Sequence, residues 1–398
     1  MKIKQIEDKY FMRTYKRNNL VVKKAKDQFV WDENGKKYLD FFAGISVCNV
    51  GHCNDSVVKA AKAQLDVFAH VSNLYYAKSQ IKLGEELSKR AFPGARVFLS
   101  NSGAEANECA VKLARKWGFL NPSKKGNRYE IICFDNSFHG RTIATLSATG
   151  QKKFHEYLKP LQEKFVFAEI NNIDSVNKLI NDRTVAVMIE PVQGEGGVIP
   201  AKKAFLKDLR KLCDEKNLLL IFDEIQCGVG RTGKFYAFEN YDVKPDIVTM
   251  AKSLANGLPL GATVAGKRCA GAFVYGDHGS TFGGNPVSCA ASLAVLKIIN
   301  AKFLNNSAKA AKYLRKKLDG LKKKYSAIKE VRGLGLMLGI SLAVNGKDVV
   351  NYCLDKGLII NCTHDTVLRL LPPLIITKKD IDCAVKILDE ALNHMLNC

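Results

Sequence analysis

The stretch PDIVTMAKSLANGLPLG, Pro245 to Gly261, holds an apolar run, Ile247-Val248-Thr249-Met250, that ends two residues before a lysine, Lys252. A short apolar run bounded by Pro-Asp on one side and a Gly-Leu-Pro turn on the other reads as a buried strand. A lysine at its mouth is either the first charge of a surface loop or an amine whose work requires it to lose its proton. The preceding apolar run has the same form. LLLIFDEIQCG, Leu218 to Gly228, places Asp223 directly after its apolar residues, and Lys252 follows 29 positions later. Open α/β sheets bind ligands outside the carboxyl ends of their strands, so a strand-end acid and a strand-end amine are candidates for one site.

Working outward, strand-like runs at Glu130–Phe134, Ala186–Ile189, Leu218–Phe222, Asp246–Met250 and Thr263–Ala265 have helical segments between several of them. That rhythm predicts an α/β fold with a mostly parallel sheet covered by helices. Ser102-Gly103-Ala104-Glu105 reads as a capping box opening a helix with Ala110, Val111, Ala114 and Trp117 on one face. Short strands are expected over residues 20–47 and a helix from Ser56 to Val71. After Asn285-Pro286 a lysine-rich helical stretch runs from Val287 to Lys324, a strand-like one from Val331 to Leu342, and Thr377 to Asp380 caps a last amphipathic helix. The expected division is a segment 1–50 joining a small domain, a large domain 51–286 and a C-terminal small domain 287–398.

The chain has 398 residues and a formal charge of +22. Its basic residues are spread along the whole length, with Arg315-Lys316-Lys317 and Lys322-Lys323-Lys324 as the densest runs, and no basic tract is interleaved with aromatics. We read the charge as a lysine-rich surface that attracts small anionic substrates, rather than as a nucleic-acid or membrane footprint. Twelve cysteines occur without a C-x-x-C pair, so neither a metal site nor a disulfide framework is expected, and free thiols fit a reducing cytosol. The charged N-terminus lacks the apolar core of a signal peptide, and the apolar runs are too short to span a bilayer. Gly228-Val-Gly230-Arg-Thr-Gly233-Lys234 matches a dinucleotide fingerprint and most of a P-loop. Both need a helix to start at once, and Phe235-Tyr236-Ala237-Phe238 is poor helix sequence. It reads as a glycine-rich loop, with a nucleotide-binding enzyme as the alternative from another class.

A strand-end aspartate and lysine together suit pyridoxal phosphate. The lysine forms a Schiff base with the aldehyde, and the carboxylate keeps the pyridine nitrogen protonated so that the ring draws electrons from the substrate carbon. Ser102-Gly103-Ala104 at a helix start offers N–H groups to a phosphate. Phe138, just past the strand in EIICFDNSF, could cover the ring face.

The segments NSGAEANE, FHGRT, EPVQGEGG, DEIQCGVGRTGKFYAFE, AKSLANGLPLGA and STFGGNP, in this order and over nearly the whole chain, resemble the pyridoxal-phosphate aminotransferases of class III, which act on ω-amino groups. The resemblance implies the aspartate-aminotransferase type of fold (fold type I) and a homodimer with shared active sites. It makes Lys252 the Schiff-base lysine and Asp223 the partner of the ring nitrogen. Gly103, Ala104, Phe138, Glu224, Ile225 and Gln226 become cofactor contacts, with Thr281 reaching the phosphate from the neighbouring subunit and Ser280 near the substrate. Two departures stand out: Ala104 replaces a common threonine, and Asn54-Asp55 replaces a more usual His-Pro.

Two arginines bear on the substrate. Arg141 follows Phe138-His139-Gly140, and Arg369 interrupts the apolar run VLRLLPPL. A guanidinium in such a place is commonly matched by a carboxylate, and two of them suit a five-carbon diacid. The resemblance assigns Arg369 to the α-carboxylate of glutamate or 2-oxoglutarate, Arg141 to the other carboxylate, and Glu195 to neutralising Arg369 when the amino donor has none there. It implies transfer of the δ-amino group of N-acetylornithine to 2-oxoglutarate in the cytoplasm, as part of arginine biosynthesis. Ornithine, succinylornithine, succinyl-diaminopimelate and 4-aminobutyrate remain open as donors.

Overall fold

In the computed structural model, which describes residues 3–396, both charged strand ends lie in the middle of one large sheet. In chain order the strands are β1 (Val22–Lys26), β2 (Phe29–Asp32), β3 (Lys37–Asp40), β4 (Arg96–Ser100), β5 (Glu130–Phe134), β6 (Phe165–Ala168), β7 (Thr184–Ile189), β8 (Leu219–Asp223), β9 (Ile247–Met250) and β10 (Gly261–Ala265). Beyond them come β11 (Ile328–Leu334), β12 (Met337–Leu342), β13 (Leu358–Ile359), β14 (Asn361–Thr363) and β15 (Val367–Leu370). The large sheet has the order β4-β10-β9-β8-β7-β5-β6. All of its strands run the same way except β10, which is antiparallel to both neighbours. Every residue of β5, β7, β8, β9 and β10 is buried, which is why these strands read as near-continuous apolar runs and not as alternating ones. The register sets Asp223 beside Thr249, so Asp223 and Lys252 leave the same carboxyl edge on adjacent strands.

Helix α1 (Gly103–Leu120) starts where the capping box places it. Ser102 Oγ accepts from Glu105 N at 3.2 Å and Glu105 Oε2 accepts from Asn101 N at 2.8 Å. The helix expected from Ser56 to Val71 spans Asp55–Leu65. The stretch expected as one helix from Val287 is two, α2 (Pro286–Ile298) and α3 (Ala301–Lys324), bent by 72°. Asn300 at the break caps α3 by accepting from Phe303 N. Cys289, Ala291, Val295 and Leu296 of α2 pack into the core of the large sheet. The division expected at 286/287 therefore falls before α2, and past the bend α3 still turns Phe303 and Leu304 to the large core before it joins the smaller one. The apolar surface of α2 is wide enough to belong to the large core, whereas α3 turns only a stripe (Leu314, Leu318, Leu321) toward the smaller one.

The expected strand Val331–Leu342 is the hairpin of β11 and β12. It turns at Gly335 (φ +60°), where a Cβ would lie 2.6 Å from Thr232 C, so only glycine fits. With β15 and β14 it forms a second sheet, and β1, β2 and β3 form a third that β13 completes by pairing in parallel with β3. Both chain ends thus build the smaller body. Leu39 and Phe41 share its core with Leu388 and Leu392 of α4 (Lys378–Leu396). Asp380 Oδ2 accepts from Thr377 N and Oγ1 at the start of α4, as the sequence pattern predicts.

One N-terminal feature shapes the site. Ala43, Gly44, Ile45 and Ser46 all have positive φ (48°, 62°, 66° and 63°). A left-handed turn of this kind costs roughly 1–2 kcal/mol per non-glycine residue, so the surroundings must hold it. Asp40 Oδ1 accepts from Phe42 N and Ala43 N. Ser46 Oγ donates to Gln226 O and accepts from Arg231 Nε at 2.8 Å. The fully buried Arg231 also donates to Leu336 O, Pro372 O and Asn49 Oδ1, tying three distant segments together. Burial lowers its pKa to about 9. The glycine-rich loop that carries it is followed only by a short 3₁₀ turn, Ala237–Asn240, and so offers no helix N-terminus to a nucleotide.

Candidate active site

A cavity of about 420 Å³ opens at the carboxyl edge of β8 and β9. Lys252 lies in its wall, on a 3₁₀ turn that leaves β9, with φ +48°. Positive φ is uncommon for a residue with a side chain and persists only where the surroundings impose it. Asn256, at the end of that turn, is pinned by Val50 N and Gly51 O. Burial pushes the Lys252 amine below its ordinary pKa; the charge of Glu195 opposes this and that of Arg369 adds to it.

Asp223 is buried, and its carboxylate is fixed on both oxygens. Oδ2 accepts from Asn107 Nδ2 at 2.7 Å and meets His139 Nδ1 at 2.8 Å, while Oδ1 accepts from Ile225 N at 3.1 Å. Asn107 is itself oriented by His139 O and by the Thr249 hydroxyl. Glu190 also lines the cavity and accepts from Phe138 N and Gly194 N. Burial raises its carboxyl to about 7, with His139 opposing and Asp223 adding. The sequence reading missed Asn107, His139, Thr249 and Glu190 as site residues. The only local signals were a threonine inside an apolar strand and a glutamate directly after one.

At the start of α1, Gly103 and Ala104 line the cavity. Their N–H groups belong to the first turn, where no intrahelical acceptor reaches. A Cβ on Gly103 would come within 2.8 Å of Ile225 Cδ1, so glycine lets Ile225 cover this end of the helix. Phe138, Arg141, Ile225 and Gln226 also face the cavity. Glu224 does not. Its carboxylate turns back to accept from Ala237 N and Phe238 N, and burial raises it to about 8. The expectation of a cofactor contact there is corrected: the side chain anchors the start of the following 3₁₀ turn.

Arg369 is 1 % exposed, and its Nη1 meets Glu195 Oε1 at 2.5 Å and Gln226 Oε1 at 3.3 Å. Burial would raise the Glu195 carboxyl, but the charge and hydrogen bond of Arg369 hold it below the usual range. Ser280 Oγ accepts from Asn101 Nδ2, at the rim. Thr281 lies elsewhere, beside Ser72 and Asn73, and does not reach the cavity of its own chain.

These donors fit pyridoxal phosphate. They provide an amine with lowered pKa, a carboxylate locked by two side-chain partners, an aromatic side chain in the wall and a helix start for a dianion. The sheet, the cavity and these side chains are those of a pyridoxal-phosphate transaminase. The pattern of the Aminotransferase class-III family matches residues 10–392, and the chain belongs to that family. Among its relatives, an acetylornithine aminotransferase of Methanocaldococcus jannaschii is 49 % identical over 391 residues, covering 98 % of both chains. One of Caldanaerobacter subterraneus is 46 % identical with the same coverage. Of solved structures, the ornithine aminotransferase of Toxoplasma gondii matches 99 % of this chain and 94 % of its own at TM-score 0.92 and 31 % identity. The N-acetylornithine aminotransferase of Stenotrophomonas maltophilia matches 99 % of both chains at TM-score 0.83 and 34 % identity.

Proposed function

We propose that the chain transfers the δ-amino group of N-acetylornithine to 2-oxoglutarate, giving N-acetylglutamate 5-semialdehyde and glutamate, as a step of arginine biosynthesis in the cytoplasm. The observation that carries this reading is the contrast between Arg369, paired with Glu195, and Arg141, which has no carboxylate partner among the described residues. A donor whose carboxylate is remote from its reacting amine needs one arginine available and the other silenced. Glutamate needs both, and Glu195 yields Arg369 to it. The relatives named acetylornithine aminotransferase support the same donor.

Lys252, Asp223, Phe138 and the N–H groups of Gly103 and Ala104 would hold pyridoxal phosphate, which would supply an electron sink beside the reacting carbon and a carrier for nitrogen between the substrates. Lys252 Nζ, released when the substrate amine takes its place and held toward its neutral form by burial, takes the proton from the carbon that bears the nitrogen. Asp223, oriented by Asn107 and His139, keeps a negative charge where the ring nitrogen must stay protonated. Arg141 binds the α-carboxylate of N-acetylornithine and the side-chain carboxylate of glutamate; Arg369 binds the α-carboxylate of glutamate. Gln226 touches both members of the Arg369–Glu195 pair and steadies either arrangement.

The working form is a homodimer. Tyr75, Tyr76, Val274, Tyr275 and Phe282 are all exposed on the single chain, and exposed large apolar side chains in this number suit an interface. Thr281 completes the phosphate site of the partner. Initial rates with N-acetylornithine, ornithine, succinylornithine, succinyl-diaminopimelate and 4-aminobutyrate, each with 2-oxoglutarate, test the assignment. N-acetylornithine is expected to give the highest kcat/KM, and a clear preference for 4-aminobutyrate overturns it.

A further inference from the structure

The two substrate arginines rest in chemically different ways. Arg369 lies against a carboxylate, Glu195. Arg141 makes no ion pair among the described residues. Its guanidinium lies over the ring of Phe154, with Cζ 3.9 Å from the centroid, and more loosely over Phe138 at 5.6 Å. Phe154 meets Phe138 edge-on, with centroids 6.2 Å apart and planes at 77°. Lys153 Nζ sits 5.0 Å from the same Phe154 ring and adds positive potential there.

A resting carboxylate competes with the substrate's own. That competition is useful at Arg369, which has to be silent while the amino donor reacts. At Arg141 it is harmful, because both substrates present a carboxylate there and the guanidinium must always be ready. An aromatic ring resolves the conflict. It attracts the flat face of the guanidinium through the ring quadrupole and leaves the N–H edge free for bidentate binding of a carboxylate.

We propose that Phe154 is a positioning residue for both half-reactions: its ring holds the face of Arg141 without occupying the N–H edge, and so keeps this carboxylate reader aimed at the cavity. The proposal rests on the reading that Arg141 receives a carboxylate from each substrate.

The test uses the cofactor-loaded enzyme and the variants Phe154→Leu, Phe154→Tyr and Arg141→Gln. The dissociation constant of glutarate, a five-carbon diacid with no amine or carbonyl to react, is measured by calorimetry. KM and kcat for both substrates are measured beside it. Phe154→Leu keeps an apolar side chain of similar bulk but loses the ring. It is expected to weaken glutarate and raise both KM values roughly three- to tenfold, with visible absorption retained and kcat within about twofold, the signature of lost uniform binding. Phe154→Tyr keeps the ring and is expected to stay within about twofold of the native protein. Native-like glutarate binding in Phe154→Leu, when Arg141→Gln binds weakly, overturns the role of Phe154 alone. Phe154→Tyr as weak as Phe154→Leu does the same, because it reduces the ring to a spacer. Loss of visible absorption in Phe154→Leu also overturns it, by assigning the ring to cofactor retention. Unchanged glutarate binding in Arg141→Gln overturns the underlying assignment of Arg141 itself.

Discussion

Lys252 lies in the wall of the cavity, Arg369 is buried behind Gln226 of that wall, and the surroundings of these two cations treat them in opposite ways. Lys252 has burial working against its proton, whereas Arg369 has a carboxylate in contact. Replacing Lys252 by alanine is therefore expected to abolish the visible absorption of the purified protein and to lower kcat by about 10²–10⁴; absorption that survives the change removes this lysine from the reaction. Removing one partner of a buried ion pair costs about 3–5 kcal/mol. Glu195→Gln leaves Arg369 unneutralised, so kcat/KM for N-acetylornithine is expected to fall roughly tenfold or more while that for glutamate holds or rises. Equal losses for both substrates would contradict a switching role. Lys252 and Asp223 were legible in the sequence because a charge placed directly after an apolar run at a strand end is a local signal. His139 and Asn107 were not. Their importance comes from three segments converging on one carboxylate, which no window of sequence shows, and Glu224 misled because its neighbours in the chain do face the cavity.

At the scale of elements, the left-handed turn after β3 depends on Asp40, which caps it with one oxygen and meets His52 Nε2 at 2.7 Å with the other. Burial alone would lower the His52 pKa, but the hydrogen bonds to Asp40 and Cys48 outweigh it and raise the imidazole to about 10. A raised pKa of this kind adds stability that is fully present below the unfolded value of about 6.5. That stability is lost as pH climbs through about 10. The melting temperature of a His52→Asn protein is expected to lie a few degrees below native at pH 6, with the gap closing by pH 10.5; a gap independent of pH would place the effect in packing instead. The strands around Asp223 and Lys252 were foreseen as strands because their burial on both faces leaves an unbroken apolar run. The bend at Ile299-Asn300 was not, because α2 and α3 are each good helix sequence and only the cap at Asn300 separates them.

For the molecule as a whole, the division into two bodies was readable as a change of pattern, but its position was not, because α2 belongs by packing to the body it follows. The shared active site proposed above would make assembly a condition of activity. Tyr275→Asp, on the exposed apolar surface, is expected to sediment as a monomer and to lose most transaminase activity at assay concentrations; an active monomer would sink the role given to Thr281. The pairing of β3 with β13 bears on how the protein is made. Leu39 meets Leu358, so about nine-tenths of the chain must leave the ribosome before the edge of β3 finds its neighbour. At ordinary rates of translation that wait lasts roughly 15–65 seconds. Throughout it a newborn strand offers bare backbone to any chain nearby, which makes this edge the place where a chaperone's protection counts most.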